Sequence, residues 1–259
     1  MKLLIGIPIY ITDELHLEFT KQTIDSIVTK HKHDTILINN HVEISFIDKL
    51  SEYKVIKNKK GNNVSASWNT IIRYGIDRKY DYMMIPNNDI IFHPEAIDNL
   101  VKFAENHKKF IMWTAAEHSD MRTIMTAKVL DTFDEHPHFS CFMTSPDSIH
   151  KMKLKEGMSP EPYPGLFDEN YAPAYFEDGD MHNRILRHGY KAAKTGSAWF
   201  YHFGSRTIKI DKELNHQNSH TYEANRQYYK RKWGWDPHGQ VLANDDQIRY
   251  KYKAPFRAE

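Results

Sequence analysis

The chain has 259 residues, a net charge of +1 from 35 Lys and Arg against 34 Asp and Glu, and one cysteine. A single thiol, Cys141, rules out a scaffold stapled by internal disulfides, and 40% apolar with 13% aromatic residues supply a packed core and exclude wholesale disorder. A near-zero net charge argues against a protein that coats nucleic acid, although it leaves room for a local basic patch.

Leu3–Ile9 is a short continuous apolar run, the pattern of a strand buried on both faces. Extended to Ile11 it still falls far short of the roughly 20 residues that span a bilayer. Asp13 and Glu14 follow where a signal-peptide cleavage site would lie. The expectation is a cytoplasmic protein without a transmembrane segment, with attachment to a membrane surface left open. Thr20–Thr29 carries Ile24, Ile27 and Val28 at helical spacing. Thr35–Ile38 is a second strand ending at Asn39-Asn40, Ile44–Leu50 a short helix, and Lys54–Ile56 a third strand. Ser65–Tyr74 predicts a helix with Trp68, Ile71 and Ile72 on one face; Asp81–Ile85 is a fourth strand stopped by Pro86. Pro94–Phe103 is again helical.

The middle is less regular. Phe110–Thr114 and Phe139–Thr144 read as strands, and the region from Lys151 to Gly165, with Pro160, Pro162 and Pro164, as an extended loop. A helix is expected from Asp180 to His188, closed by Gly189, then a strand over Ala198–His202 and a helix over Thr221–Trp233. Cys141 sits among apolar residues and reads as a buried, inert thiol. Strands alternating with helices imply βαβ units and a largely parallel sheet. Ligands of such sheets bind beyond the carboxyl ends of the strands. The polar groups just after strands therefore matter most: Pro8–Tyr10, Asn39-Asn40 and Asn87-Asn88-Asp89.

Three polar clusters can carry chemistry. Asn87-Asn88-Asp89 is good turn chemistry, but Asp89 is also a hard oxygen ligand for a divalent ion on a diphosphate. Glu177-Asp178-Gly179-Asp180 opens a helix, where carboxylates favour the dipole and cap free N–H groups. A cap needs only one of the three, so one is a candidate general base. His202, at a strand end, is either structural or a neutral imidazole ligand for an ion such as Mn²⁺.

Taken together these segments resemble glycosyltransferase family 2. Ile5-Gly6-Ile7-Pro8-Ile9-Tyr10 is similar to its opening strand, Gly61–Asn69 to its helix start, Tyr82–Ile90 to its DXD segment. Phe167-Asp168-Glu169 with Glu177–Asp180 resembles its "FDE … EDxD" pattern. His202–Ser205 resembles its late histidine motif, and Lys232-Trp233-Gly234 a common "KWG". The matches fall in the family's order across about residues 2–235.

The resemblance implies a GT-A, Rossmann-like α/β fold with a mostly parallel central sheet flanked by helices. Its transferase domain would cover 1–220, with a donor half to about 115 and an acceptor half from about 116. A basic, aromatic helical extension would occupy 221–259. It implies an inverting, metal-dependent hexosyl- or pentosyltransferase that uses a nucleoside diphosphate sugar, UDP-linked for preference. Pro8, Ile9, Tyr10, Asn39, Asn63, Asn69, Asn87 and Asn88 would line the donor site. Asp89 and His202 would hold Mn²⁺ or Mg²⁺. Asp178 would be the base, with Glu177, Asp180 and Asp168 on the acceptor side. Two departures are notable: Asn39 stands where the family has Asp, and Asn87 replaces the first acid of the DXD.

The expected acceptor is a glycan or lipid-linked saccharide. A second reading is a modified base in DNA. From Thr221 to Arg257 there are eight Lys and Arg against four acids, interleaved with Tyr228, Tyr229, Trp233, Trp235, Tyr250 and Tyr252. This mixture suits phosphate contact and base stacking; the competing reading is a helix with its aromatics on the core and its cations in solvent. A third reading is a nucleotide-sugar binder without turnover, motivated by Asn39 and Asn87 and opposed by the Glu177–Asp180 cluster. A metal-dependent nuclease lacks recognisable two-metal spacing.

Overall fold

A computed structural model describes residues 1–118, 120–121, 132–156, 162–204 and 212–236, leaving aside the side chains of residues 44, 47 and 212–220. Nine strands form one sheet: β1 (Lys2–Ile11), β2 (Lys32–Val42), β3 (Lys54–Lys57), β4 (Tyr82–Pro86), β5 (Ile90–Phe92), β6 (Met112–His118), β7 (Phe133–Asp134), β8 (Cys141–Thr144) and β9 (Ala192–His202). Helices among the described residues include α1 (Glu14–Asp25), α2 (Ile44–Ile47, continued by a 3₁₀ turn to Leu50), α3 (Val64–Asp77), α4 (Ala96–Asn106), α5 (Pro146–Glu156), α6 (Glu177–Arg187) and α7 (Lys212–Trp233). Among the described residues no helix is long and apolar enough to cross a membrane.

The strand order is β3-β2-β1-β4-β8-β6-β9-β5, with β7 also on β9. β3, β2, β1 and β4 pair in parallel, as do β6 and β9; β8, β5 and β7 pair antiparallel with their neighbours. The chain winds outward from β1 through β2 to β3, then crosses back to place β4 on the other side of β1. That reversal is a topological switch point, and it opens a crevice beyond the carboxyl ends of β1 and β4. Because β8 runs antiparallel to both β4 and β6, the ends of β1, β4, β6 and β9 all reach the same edge.

The period-2 geometry of β1 splits the core into two layers. Leu3, Ile5, Ile7, Ile9 and Ile11 face a cluster with Leu17 of α1 and Ile97, Leu100 and Phe103 of α4. Leu4 faces the opposite cluster with Trp68, Ile71 and Ile72 of α3, Ile149 and Met152 of α5, and Met181 and Ile185 of α6. Each fully buried Ile or Leu contributes about 1.5–3 kcal/mol. Gly6 is what lets α3 approach: a Cβ there would fall 2.3 Å from Ile71 Cγ2.

Several elements differ from the sequence expectation. α1 begins at Glu14, earlier than Thr20, because Asp13 caps it, its Oδ1 accepting from His16 N at 2.9 Å. Pro146–Glu156 is a helix, where a loop was expected from Lys151. Ser145 Oγ accepts from Ser148 N at 3.2 Å and Pro146 takes the first helical position. Residues 157–161 of that stretch lie outside the described residues. The short strands β5 and β7 had no expectation at all. Cys141 is fully buried, and burial pushes its thiol pKa up.

Candidate active site

Asp89 and His202 are 113 residues apart in sequence and meet because β5 pairs antiparallel with β9, setting Ile90 opposite His202. The backbone N–H of Phe203 donates to Asp89 O at 3.0 Å, which locks the junction. His202 Nε2 lies 3.1 Å from Asp89 Oδ1, and His202 Nδ1 lies 3.3 Å from Glu117 Oε2 at the end of β6. The same Glu117 oxygen lies 3.1 Å from His138 Nε2. Burial alone would lower the His202 pKa, but the hydrogen bond and charge of Asp89, then those of Glu117, outweigh it and raise it. For His138 burial dominates and lowers the pKa, against the pull of Glu117 and, more weakly, Asp178.

Asp178 occupies the first turn of α6, and its charge acts on His138. Its side chain is exposed to solvent at the surface, although many protein atoms surround its base. Desolvation raises its pKa above the usual aspartate range, partly offset by hydrogen bonds from the backbone of Gly179 and of Asp178 itself. Beside it Glu177 is 6% exposed, and its Oε2 has no hydrogen-bond partner. Desolvation, then the charge of Asp178, pushes the Glu177 pKa well up. Burial thus disfavours the charged form of both carboxyls, that of Glu177 the more strongly.

The backbone before α6 is strained. Tyr175 and Phe176 both lie in the left-handed region, with φ of 81° and 74°. For bulky L residues this costs on the order of 1–3 kcal/mol each, and strain of this kind concentrates at functional sites.

The other residues that the sequence singled out take different places. Tyr10 ends β1 half-exposed, its ring 5.2 Å from that of His41; Pro8 and Ile9 are buried in the sheet. Asn39, expected at a strand end, is half-buried inside β2, which runs on to Val42 and pairs it with Ile9 and Lys57; its carbonyl accepts from Asn58 N at 2.9 Å. Asn88 is buried and donates to Thr20 Oγ1 at 3.1 Å; Asn87 donates its backbone N–H to Ser140 O at 2.8 Å. Asn63 caps α3, accepting from Ala66 N at 2.8 Å, while its Nδ2 donates to Glu169 O at 2.9 Å. Asn69 grips the same segment: Nδ2 donates to Phe167 O and Glu169 Oε1 at 2.8 and 2.9 Å, and Oδ1 accepts from Phe167 N at 2.9 Å. Both amides are engaged in joining α3 to residues 167–169.

Asp168 and Asp180 are fully buried and bind α7. Tyr228 OH and Lys232 Nζ donate to Asp168 Oδ2 at 2.9 Å each. Trp233 Nε1 donates to Asp180 Oδ1 at 2.8 Å, and Lys232 Nζ lies 2.9 Å from that oxygen. Tyr229 and Trp233 pack on Tyr171, so the described aromatics of the tail face the core. Arg226 and Lys230 pair with Asp236. Ser205 and the chain from residue 237, including Tyr250, Tyr252 and the last four cations, lie outside the described residues.

Glu117 and His138 had not been singled out. Glu117 carried a usable signal: β6 runs on to His118, past the expected end at Thr114, so Glu117 is a polar residue at a strand's carboxyl end. His138 lies in the approach to β8 and offers no local signal.

Among the described residues no group of three or more His, Cys, Asp and Glu side chains is arranged to hold a metal ion. Asp89 and His202 nonetheless fit two positions of one ion. Their donor atoms are 3.1 Å apart, the spacing of adjacent ligands on an octahedral ion with bonds of about 2.1 Å, and the mixed N/O set suits Mn²⁺.

No protein-family model matches the chain, and no curated protein matches it in sequence. Its similarity to solved structures is in the fold. A structure described as GalNAc-T7 with UDP, GalNAc and Mn²⁺ matches with a TM-score of 0.58 at 10% identity. The match covers 97% of this chain and 54% of that chain, so this chain spans about half of that protein's length. The fold is thus that of GT-A-type glycosyltransferases.

Proposed function

We propose that this protein is an inverting glycosyltransferase that moves a sugar from a nucleoside diphosphate donor to an acceptor hydroxyl, for preference on a glycan or lipid-linked saccharide. What supports the proposal is the meeting of Asp89 and His202, 113 residues apart, with Glu117 and His138 beside them and the charge of Asp178 acting on His138. The fold it shares with a structure described as holding UDP, GalNAc and Mn²⁺ supports a UDP-linked donor.

In this reading Tyr10 and Asn39 meet the nucleoside from the carboxyl-terminal parts of β1 and β2. Asp89 and His202 would hold a divalent ion, whose charge would neutralise the departing diphosphate. Glu117 accepts from Nδ1 of His202 and so directs the Nε2 lone pair toward that ion. Asp178, ionised, accepts the proton of the acceptor hydroxyl. The oxygen forms a bond to the anomeric carbon as the bond to the diphosphate oxygen breaks, and the nucleoside diphosphate leaves with the electron pair. A single displacement inverts the anomeric centre.

Asn63, Asn69, Asp168 and Asp180 act here through the scaffold, since their polar atoms join segments of the chain. The cluster of carboxylates at Glu177, Asp178 and Asp180 favours turnover over mere binding, because a binding protein has no use for a base. Asp178→Asn tests the assignment: turnover should vanish while donor binding persists, and unchanged turnover would remove Asp178 from the mechanism.

A further inference from the structure

Tyr175 and Phe176 hold an unfavourable left-handed backbone immediately before Glu177 and Asp178, and something must hold them there. The contacts come from α7. Asn225, 5% exposed, donates from Nδ2 to Ala172 O at 3.2 Å and to Ala174 O at 2.9 Å. The Tyr222 ring lies 5.2 Å from Tyr175 at 74° and 4.9 Å from Phe176 at 52°. Just beyond the turn, Tyr229 bonds Asn183 through its hydroxyl, and Trp233 and Lys232 hold Asp180. From the other side Val64 N donates to Pro173 O at 2.9 Å. The segment that aims the carboxylate is thus clamped between the start of α3 and the face of α7.

We propose that Asn225 and Tyr222 are positioning residues: α7 imposes the left-handed turn at Tyr175-Phe176 and so directs Asp178 at the acceptor. The inference rests on the reading of Asp178 as base. It gives the C-terminal helix a part in turnover that is separate from donor binding, since the Asn225 and Tyr222 contacts named above fall on residues 172–176. Asn225→Asp is nearly isosteric, yet it removes both donors and sets a carboxylate against two carbonyl oxygens. A misplacement of about 1 Å at a catalytic group can cost on the order of 100-fold.

The experiment uses the full chain with Mn²⁺ and UDP-glucose or UDP-N-acetylgalactosamine, whichever binds. It measures donor affinity by calorimetry and slow transfer to water by release of UDP. Asn225→Asp should lower kcat by about 10- to 100-fold with donor Kd unchanged. Adding Tyr175→Gly should restore part of kcat, because glycine takes positive φ without strain. Tyr222→Leu, which leaves the Asn225 bonds in place, should lower kcat with Kd unchanged, and it carries the test if Asn225→Asp does not fold. Unchanged kcat, a parallel loss of kcat and donor affinity, or no recovery with Tyr175→Gly would overturn the clamp. Wild-type protein that binds no donor would instead overturn the functional reading beneath it, and that control precedes any variant.

Discussion

Glu117 sets a single carboxylate oxygen, Oε2, 3.3 Å from Nδ1 of His202 and 3.1 Å from Nε2 of His138. One acid therefore orients two imidazoles, and the pairing of β6 with β9 holds it there. With Nδ1 committed to Glu117, the Nε2 nitrogen faces Asp89 and is the one available to a metal. Glu117→Leu should weaken Mn²⁺ binding by about 10- to 100-fold, the usual effect of losing such a partner. Glu117→Gln, whose amide oxygen can still accept from Nδ1, should weaken it less. Calorimetric titration with Mn²⁺ alone checks this without reference to activity, and equal affinity in all three proteins would refute it.

Asp178 should set the acid limb of the rate profile. Its pKa is raised, so activity should be lost as pH falls through a value above the usual aspartate figure of about 3.9. In a pH series of kcat/KM this limb should disappear with Asp178→Asn. The product's anomeric configuration, read from proton coupling constants, should be opposite to the donor's. Net retention would exclude direct displacement driven by this base.

Glu177 makes a separate claim about stability. Its folded pKa is raised, so its contribution is fully present below its unfolded pKa of about 4.3 and is lost as pH rises through the folded value. Glu177→Gln carries no such dependence. The variant's melting temperature relative to the native protein should therefore climb between pH 4 and pH 8. A constant difference would show that Glu177 does not titrate in this way.

The fold rests on a fully buried ion pair. Arg184 donates to Glu156 from Nε at 2.7 Å and from Nη2 at 2.6 Å, and to Leu166 O at 2.7 Å, while Glu156 Oε2 also accepts from Gly165 N at 2.6 Å. The pair fastens α5, α6 and the chain that leads to Asp168. Glu156→Ala strips a buried guanidinium of its main partner and should cost about 3–5 kcal/mol in denaturant unfolding. A loss below 1 kcal/mol would mean that solvent reaches the guanidinium.

The parallel half of the sheet was legible because β1, β2 and β4 are apolar runs, and α3 announces itself through Trp68, Ile71 and Ile72. Asp89 and His202 were legible as polar residues at strand ends. What escaped depends on pairing across long separations. Asn63 and Asn69 look like ligand-binding amides in sequence, but their partners at 167–169 lie about a hundred residues away. The tail's charge likewise gave no sign that Lys232 would lie against Asp168 and Asp180. The left-handed pair at Tyr175-Phe176 runs against the preference of both residues, so no local signal could reveal it.

The most direct test of the account is calorimetric titration of UDP into the protein with and without Mn²⁺. Saturable binding should require the ion, vanish with Asp89→Ala and persist with Asp178→Asn. Binding that is indifferent to both Mn²⁺ and Asp89, or no binding of any nucleoside diphosphate with Mn²⁺ or Mg²⁺, would contradict it.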